Sequence, residues 1–335
     1  MLRAILLFTI LWQSIYADKI GERMEKSSIL MDRPYYTVRI GAVNVNIVVT
    51  LNGERVFADF TTWQQFLELP VNHLMTSGEN RLEVKLLSYE EEEFKIKPKA
   101  QAFVALRVKR AGDYSSKPLL ITEISYDKGD INAASEGSYD SKEGMKRSNA
   151  GDVKISKLEQ KRIDGIWTGE RVKGLWFTQT VTLQTPFPRW KFLDSQKLYD
   201  GNFMLDVDDD EYEELKKRKD IQELYALIDK IQKRLQAKDT DWVADLFKER
   251  NEESDIAFYK ERGYYDRTIR KGLKELVNDP EYEIFIPKDP PFYISEGGRT
   301  IMIRSSISYN RKKGRGNQRY DILFRRENGK WILTR

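Results

Sequence analysis

From about residue 34, the first half of the chain alternates apolar and polar residues. Apolar side chains occupy every second position over 36–40 and again over 43–47, and the apolar run continues to residue 51. A period of two is typical of strands that bury one face. Asn52-Gly53 follows, and this dipeptide favours a tight hairpin because both turn positions need positive φ. The pattern therefore predicts a hairpin that joins 47–51 to 56–60.

Further strand-like segments follow at intervals of about 10–15 residues, with almost no helical period between them. These segments are 82–86, 94–97, 103–108, 119–124, the neighbourhood of Trp167, and 175–183. Many short strands at this spacing are typical of an antiparallel β-sandwich. We therefore predict an all-β antiparallel sandwich over residues 34–190, preceded by a charged connector at 18–33.

Two segments interrupt the strand pattern. Residues 127–160 are rich in Asp, Lys, Ser, Gly and Asn, and hold too few large apolar side chains to offset the entropy of ordering. We predict that they form a mobile insertion, either a simple loop or one that contacts a partner. Residues 185–190 combine two prolines with two aromatic rings, which predicts a rigid strap packed by Phe187 and Trp190. A recognition motif is the alternative interpretation of the strap.

The last third of the chain changes from helical to strand periodicity. Apolar residues recur at helical spacing over 221–235, after an acidic run at 206–210 that suits a helix start. That acidic run lacks the Gly and Glu which a calcium loop of the EF-hand type requires. Lys238-Asp239 predicts a helix end and a new cap. Helical runs follow at 242–247, 256–265 and 269–277, and strands at 282–286, 292–294, 301–310, 320–325 and 331–333.

Helices followed by an antiparallel sheet indicate a second domain of the α+β class over 211–335, joined to the first by a linker at 191–210. The region resembles the nuclear transport factor two-like (SnoaL-like) family in its first helix with the Lys238-Asp239 exit. Its long penultimate strands and the ending FRRENGKW at 324–331 carry the same resemblance. In the first domain, NGERVFADF…LPVNHLMTSGENRLEV resembles immunoglobulin-like or galactose-binding-like β-sandwiches of exported bacterial proteins.

The SnoaL-like resemblance implies an α+β cone, in which helices and a curved antiparallel sheet enclose a pocket. Isomerase members of the family use an Asp base in an apolar cavity, whereas dehydratase members depend on a His that this domain lacks. In this domain, the spacing of the acidic and phenolic side chains along the sequence does not show that they converge on one pocket. A catalytic pocket, a binding pocket and a filled core are therefore three alternatives. The candidate pocket residues are Asp241, Asp245, Asp255, Tyr264, Tyr265 and Tyr309.

Composition narrows the class of function. The 335 residues are 40% hydrophobic and 33% charged, which is enough apolar material for real cores. A balance of 57 Lys+Arg against 53 Asp+Glu argues against a nucleic-acid binder that works by bulk charge. The chain has no Cys, which excludes disulfides, thiol nucleophiles and cysteine zinc sites. His73 is the one His, so we expect no multi-His metal site and no cofactor; we interpret His73 as a surface or hydrogen-bonded residue, with a catalytic role as the alternative.

The N-terminal 17 residues carry the pattern of a secretory signal peptide. Arg3 precedes an apolar run at 4–12, and the small residue Ala17 stands before Asp18. The apolar run is shorter than the roughly 20 residues that a membrane-spanning helix needs. We predict cleavage between Ala17 and Asp18, with an uncleaved anchor and a core segment as alternatives. After cleavage the protein is not expected to be an integral membrane protein. An exported chain without Cys is more typical of a bacterial periplasm than of an extracellular eukaryotic domain.

One further candidate site is the basic hairpin tip formed by Arg311, Lys312, Lys313 and Arg315. It is either a solvated turn or a contact for anionic lipid, glycan or an acidic partner. Together these features predict a periplasmic, non-enzymatic binding protein that contacts a toxin or an envelope protein. One form is an immunity-type protein that neutralises an envelope-targeted toxin. The alternatives are a small-molecule or glycan-binding accessory protein of the envelope, and an isomerase- or hydrolase-like enzyme that uses the C-terminal pocket.

Overall fold

The structure is a computed structural model. It describes residues 33–88, 99–113, 118–127, 130–134, 153–167, 170–285, 290–311 and 317–334. The predicted signal peptide with its cleavage position at Ala17 and Asp18, the strand predicted at 94–97, and the basic residues Lys312, Lys313 and Arg315 lie outside these ranges. No helix in the described ranges is long and apolar enough to cross a membrane.

The N-terminal part consists of antiparallel strands in two sheets. The strands are β1 (Pro34–Val43), β2 (Asn46–Leu51), β3 (Glu54–Asp59), β4 (Gln65–Pro70), β5 (Gly78–Ser88), β6 (Gln101–Arg110), β7 (Leu119–Asp127), β8 (Asp130–Ala134), β9 (Lys154–Ile155), β10 (Glu159–Trp167) and β11 (Glu170–Leu183). Sheet A has the strand order β4-β1-β6-β7-β8. Sheet B has the order β10-β11-β5-β2-β3, and β9 pairs with β11.

Sheets A and B share one hydrophobic core. Val38 and Ile40 of β1 belong to the same buried cluster as Val49 of β2 and Val84 of β5. On β1 the residue between them, Arg39, faces the other side of the sheet and is partly exposed. Because successive strand side chains point to opposite faces, the period-two pattern determines which residues enter the core. The predicted strand-rich, antiparallel N-terminal part is confirmed.

The hairpin predicted at Asn52-Gly53 is confirmed. Both residues have positive φ, 56° at Asn52 and 81° at Gly53, and they join β2 to β3. Gly53 also lies against the C-terminal part, because the Gly297 amide donates to the Gly53 carbonyl over 3.1 Å. A Cβ added to Gly53 would lie 2.7 Å from the Gly297 Cα. Both the backbone conformation and the close approach therefore require glycine here.

The C-terminal part combines helices with a third antiparallel sheet, sheet C. The helices are α1 (Phe203–Asp206), α2 (Asp209–Lys217), α3 (Lys219–Gln236), α4 (Thr240–Leu246), α5 (Lys248–Ala257) and α6 (Tyr264–Asn278), and short 3-10 helices lie at Asn72–Leu74 and Lys191–Asp194. The strands are β12 (Tyr282–Phe285), β13 (Phe292–Ile294), β14 (Thr300–Arg311), β15 (Asn317–Glu327) and β16 (Lys330–Leu333). Sheet C has the order β12-β14-β15-β16, and β13 also pairs with β14. An α+β C-terminal part is therefore confirmed.

Acidic caps fix the starts of two helices. Asp208 accepts a hydrogen bond from the Glu211 amide over 2.8 Å at the start of α2, which confirms the predicted acidic helix start. Asp239 accepts from the Trp242 amide over 3.4 Å and begins α4 just after α3 ends, as Lys238-Asp239 predicted. Between these caps, α3 buries its apolar stripe in the second core. The stripe consists of Ile221, Leu224, Ile228, Ile231 and Leu235.

Sheet B lies between two cores. Its inner face packs on sheet A, whereas Val48, Leu87 and Val172 on its outer face belong to a second buried cluster with the C-terminal helices and sheet C. In return, Phe258 and Tyr265 of the C-terminal part belong to the first core. The N-terminal and C-terminal parts of the chain therefore interlock across sheet B.

The helix predicted over 256–265 is wrong. Helix α5 ends at Ala257 and α6 begins at Tyr264, and positive φ values of 55° at Tyr259 and 81° at Gly263 interrupt the helical path. The Asp255 carboxylate accepts from the amides of Gly263 (2.6 Å) and Tyr265 (3.0 Å), which holds the turn and the new helix start together. The aromatic residues of this segment mark a core contact and not a helix.

Two segments predicted to lack regular structure contain some. Within 127–160 the described residues include β8, β9 and the start of β10, and residues 128–129 and 135–152 lie outside the description. The predicted linker at 191–210 contains a 3-10 helix, α1 and the start of α2, and Phe192 and Phe203 are buried. The prediction from polar composition missed β8, because that strand is ordered by backbone pairing with β7 and not by burial of large apolar side chains.

Candidate functional site

In the described part of the chain four large apolar side chains are exposed, and three of them are aromatic and close together in the sequence. They are Phe60 (38% exposed), Trp63 (72%), Phe66 (62%) and, elsewhere, Ile256 (49%). Phe60, Trp63 and Phe66 lie within seven positions of the sequence, on the β3–β4 loop and on β4. We call these three residues the aromatic edge. Grouped apolar side chains on a surface are typical of interaction sites.

Local hydrogen bonds hold the loop that carries Trp63. The Asp59 carboxylate accepts from both the amide and the hydroxyl of Thr61, over 3.1 Å and 2.8 Å. Thr62 has a positive φ of 56°, and its carbonyl accepts from the Asn44 amide over 3.2 Å. This turn anchors the backbone of the segment while the Trp63 side chain stays in solvent.

A cation–aromatic cluster continues the aromatic edge across sheet A. The rings of Phe66 and Phe103 meet edge to face at 5.9 Å, and the Arg39 guanidinium lies 4.5 Å from the Phe66 ring and 5.8 Å from the Phe103 ring. The Phe103 ring occupies the space that a Cβ at Gly41 would need. Glycine at position 41 therefore makes room for this cluster. A guanidinium over aromatic rings is a favourable but only partly satisfied arrangement for the charge.

The acidic residue of β4 is already engaged. Glu68 accepts from the Thr37 hydroxyl over 2.6 Å and forms an ion pair with Arg107 over 3.2 Å. Arg39 stands opposite Glu68 in the β1–β4 ladder, but in the described residues it contacts two rings and forms no ion pair. The outer face of sheet A therefore presents aromatic rings and a positive charge next to its β4 edge.

A second cluster of charged residues is buried where sheet B meets the C-terminal part. Lys85 and Glu296 form an ion pair over 3.5 Å, with side chains only 1% and 2% exposed. The ammonium groups of Lys85 and Lys161 lie 4.4 Å and 3.3 Å from the Trp176 ring. Lys161 itself is exposed, and partial desolvation, aided by nearby Arg81 and Lys85 and opposed by Glu83, lowers its pKa. Because Lys85 and Glu296 are closed off from solvent, their pair joins the two parts of the chain.

The acidic residues proposed for a C-terminal pocket do not act as one group. Asp241 and Asp245 both contact Arg270, over 3.3 Å and 2.5 Å, beside a groove of about 530 Å³ on α6. Arg270 donates hydrogen bonds to the carboxylates of Asp266 and Asp245, and these bonds raise the pKa of Arg270. Asp255 instead accepts the backbone amides at the start of α6. The space between helices and sheet C holds packed side chains, among them Ile228, Ile303 and Phe324.

The other candidates also have structural partners. Tyr265 is buried in the first core and Tyr264 packs against it, whereas Tyr309 meets Tyr282 edge to face at 5.1 Å. His73 lies in the 3-10 helix Asn72–Leu74, with its ring 5.6 Å from that of Phe258. Of the predicted basic tip, only Arg311 is described, as the last residue of β14.

The strap prediction is confirmed in its packing. Phe187 and Trp190 are both buried in the first core, and their rings stack at 5.9 Å. The Trp190 indole donates to the Met75 carbonyl over 2.6 Å.

Sequence reasoning did not single out the aromatic edge. Its signal is the segment FTTWQQF at 60–66, where three large rings stand among polar residues between two strands. The sequence marks these rings but does not show whether they are buried, because exposure depends on what the assembled sheets cover. Across the described residues no group of three or more His, Asp or Glu side chains is arranged to hold a metal ion. No family model, curated protein or solved structure matches the chain.

Proposed function

We propose that this protein is a non-enzymatic binding protein that acts through protein–protein contact at the aromatic edge. The observation that carries the proposal is the exposure of Trp63 and of Phe66, whose ring lies under the Arg39 guanidinium. Aromatic and arginine side chains dominate the binding energy of protein interfaces. The proposal includes an N-terminal β-sandwich domain and a C-terminal SnoaL-like cone domain that is packed solid.

Two further observations support a non-enzymatic role. Asp241 and Asp245 are held by Arg270, and Asp255 is held by backbone amides, so each carboxylate already has a structural role. The proposed location is the periplasm, which rests on the signal-like pattern at 1–17 and the lack of Cys in the sequence. A toxin or an envelope protein is the proposed class of partner.

The test is a titration against the purified product of the gene adjacent to its own. We expect Trp63→Ala and Phe66→Ala each to weaken binding at least about tenfold, as interface anchors do. Ile256→Ala is the matched control, because Ile256 is also large, apolar and exposed but lies on α5. Equal affinity for all three variants would remove the aromatic edge from the proposal, and no complex with wild-type protein would remove the toxin or envelope partner encoded there.

A glycan-binding accessory protein is a second candidate, favoured by the open face of Trp63. Sugars stack on exposed aromatic rings through the same apolar faces that proteins use. A thermal-shift screen with envelope sugars distinguishes the two functions, since ligand binding raises the melting temperature. A rise in melting temperature that Trp63→Ala abolishes would favour glycan binding. A screen in which no sugar changes the melting temperature would favour the protein partner.

A further inference from the structure

The free edge of sheet A can be assigned atom by atom. Among the described residues β4 is the last strand of sheet A and pairs with β1 alone. The Val71 amide donates to the Tyr36 carbonyl over 3.0 Å, which fixes Tyr36 as a residue whose backbone faces β4. In an antiparallel ladder the residues that face the neighbour alternate. Leu69, Leu67 and Gln65 therefore face β1, and the backbone groups of Phe66, Glu68 and Pro70 face outward.

The outward side of β4 presents a short, defined set of backbone groups. Phe66 and Glu68 each offer one amide and one carbonyl, whereas Pro70 offers a carbonyl only. Proline is tolerated on a strand edge where its missing N–H would have pointed away from the sheet, and the position of Pro70 fits this rule. An exposed strand edge with open donors and acceptors is a template for another strand.

The side chains of the same edge select the chemistry of that strand. Arg39 lies over the Phe66 ring and forms no ion pair in the described residues, since Glu68, its cross-strand neighbour, pairs with Arg107. An acidic side chain opposite Phe66 would therefore meet the charge of Arg39. An acidic residue opposite Glu68 would face a like charge, which destabilises cross-strand pairs. A second copy of this chain is less suited, because its own Glu68 is committed to Thr37 and Arg107.

We propose that the partner binds by strand addition to β4, as an extended segment of another protein that carries an acidic residue opposite Phe66. Backbone hydrogen bonds to Phe66 and Glu68 supply affinity, and the aromatic edge with Arg39 supplies specificity. This inference rests on the proposed function and adds the binding mode and the chemistry of the partner.

The experiment compares Glu68→Pro with Glu68→Ala. Both variants lose the carboxylate and its contacts with Thr37 and Arg107, but only proline also removes the outward amide. The probe is a phage-displayed library of random 12-residue peptides selected on the wild-type protein, followed by titration of the synthesised peptides. We expect acidic residues among alternating apolar ones in the selected peptides. We expect binding at least tenfold weaker for Glu68→Pro than for Glu68→Ala, and weaker and less salt-sensitive for Arg39→Gln.

Hydrogen exchange gives a measurement that does not depend on the proline variant folding. Strand addition protects the amides of Phe66 and Glu68, so their exchange should slow at least tenfold at saturating peptide, while the Leu67 amide is protected already. Equal affinities of the two Glu68 variants, or unchanged exchange, would overturn strand addition. The proposed function would survive if Trp63→Ala still abolished binding of the same peptides.

Two other outcomes also overturn the inference. One is a library that yields no peptide above background. The other is concentration-dependent self-association of the wild-type protein, measured by sedimentation, that Glu68→Pro abolishes and Glu68→Ala retains. That result would assign the edge to a second copy of this chain.

Discussion

The outer faces of sheets A and B are built alike but have opposite surroundings. Each carries charged residues next to aromatic rings, Arg39 with Phe66 on sheet A and Lys85 with Trp176 on sheet B. On sheet B the C-terminal part covers this arrangement, and Glu296 supplies the missing carboxylate. On sheet A the arrangement is open, and Phe66 stays exposed.

The difference shows what covering a sheet face requires. Sheet B buries charges only because each has a counterpart within reach, since an unpaired buried charge is strongly destabilising. Sheet A presents rings and a cation, Arg39, that forms no ion pair in the described part of the chain, while its cross-strand neighbour Glu68 pairs with Arg107. This incomplete face is the physical basis for placing the partner there.

The largest expected effect is at the covered face. Glu296→Ala leaves the Lys85 ammonium buried without its partner, and we expect a loss of about 3–5 kcal/mol in the free energy of unfolding. The double variant Lys85→Met/Glu296→Leu removes both charges and should recover most of this loss. Urea denaturation of the three proteins measures it. A single variant within about 0.5 kcal/mol of wild type would contradict the covered ion pair.

The next effect concerns acid. Burial opposes ionisation of Glu249, but hydrogen bonds from Arg325 and Lys191 outweigh it and hold its pKa below the ordinary value of 4.5. A lowered folded-state pKa stabilises the protein above pH 4.5, and this contribution is lost as the pH falls through the folded-state pKa. Glu249→Gln should therefore lower the unfolding free energy by about 1.5–3 kcal/mol at neutral pH and by much less near pH 3. A penalty independent of pH would argue against this assignment.

A smaller effect is expected where the two parts of the chain touch. Gly53→Ala places a Cβ against Gly297 at a φ of 81°, and we expect it to lower the unfolding free energy by about 1–3 kcal/mol. Gly272→Ala is the control, because Gly272 is inside α6 with open space around its Cβ position. That substitution should stabilise the protein by about 0.5–1 kcal/mol. Thermal unfolding would distinguish the two variants. Equal changes in melting temperature would mean that the contact of Gly53 with Gly297 does not affect stability.

The smallest expected effect on stability concerns Trp63 on the exposed aromatic edge. Trp63→Ala should change the free energy of unfolding by no more than about 0.5 kcal/mol, because the ring is 72% exposed. The same substitution should weaken partner binding at least about tenfold. Loss of stability without loss of binding would show that Trp63 serves the fold.

The sequence predicted much of the fold and little of the site. Asn52-Gly53 and the stripe along α3 act through local backbone and periodicity, and the structure confirms both. The helix predicted at 256–265 failed because the aromatic residues there fill a core formed with residues more than 100 positions away. The sequence does not predict the aromatic edge, because the exposure of Trp63 depends on how the sheets assemble.

By itself, the sequence determined which residues alternate, where turns and caps lie, and that the chain divides into a strand-rich part and an α+β part. These features depend on neighbours within a few residues, whose periodicity and backbone preferences are visible in the chain itself. Only the tertiary structure decided that sheet B packs on both faces and that, within the described residues, β4 of sheet A pairs on one side alone. Burial depends on which distant elements pack together, and the same Lys or Phe is a core residue or a contact residue according to what covers it.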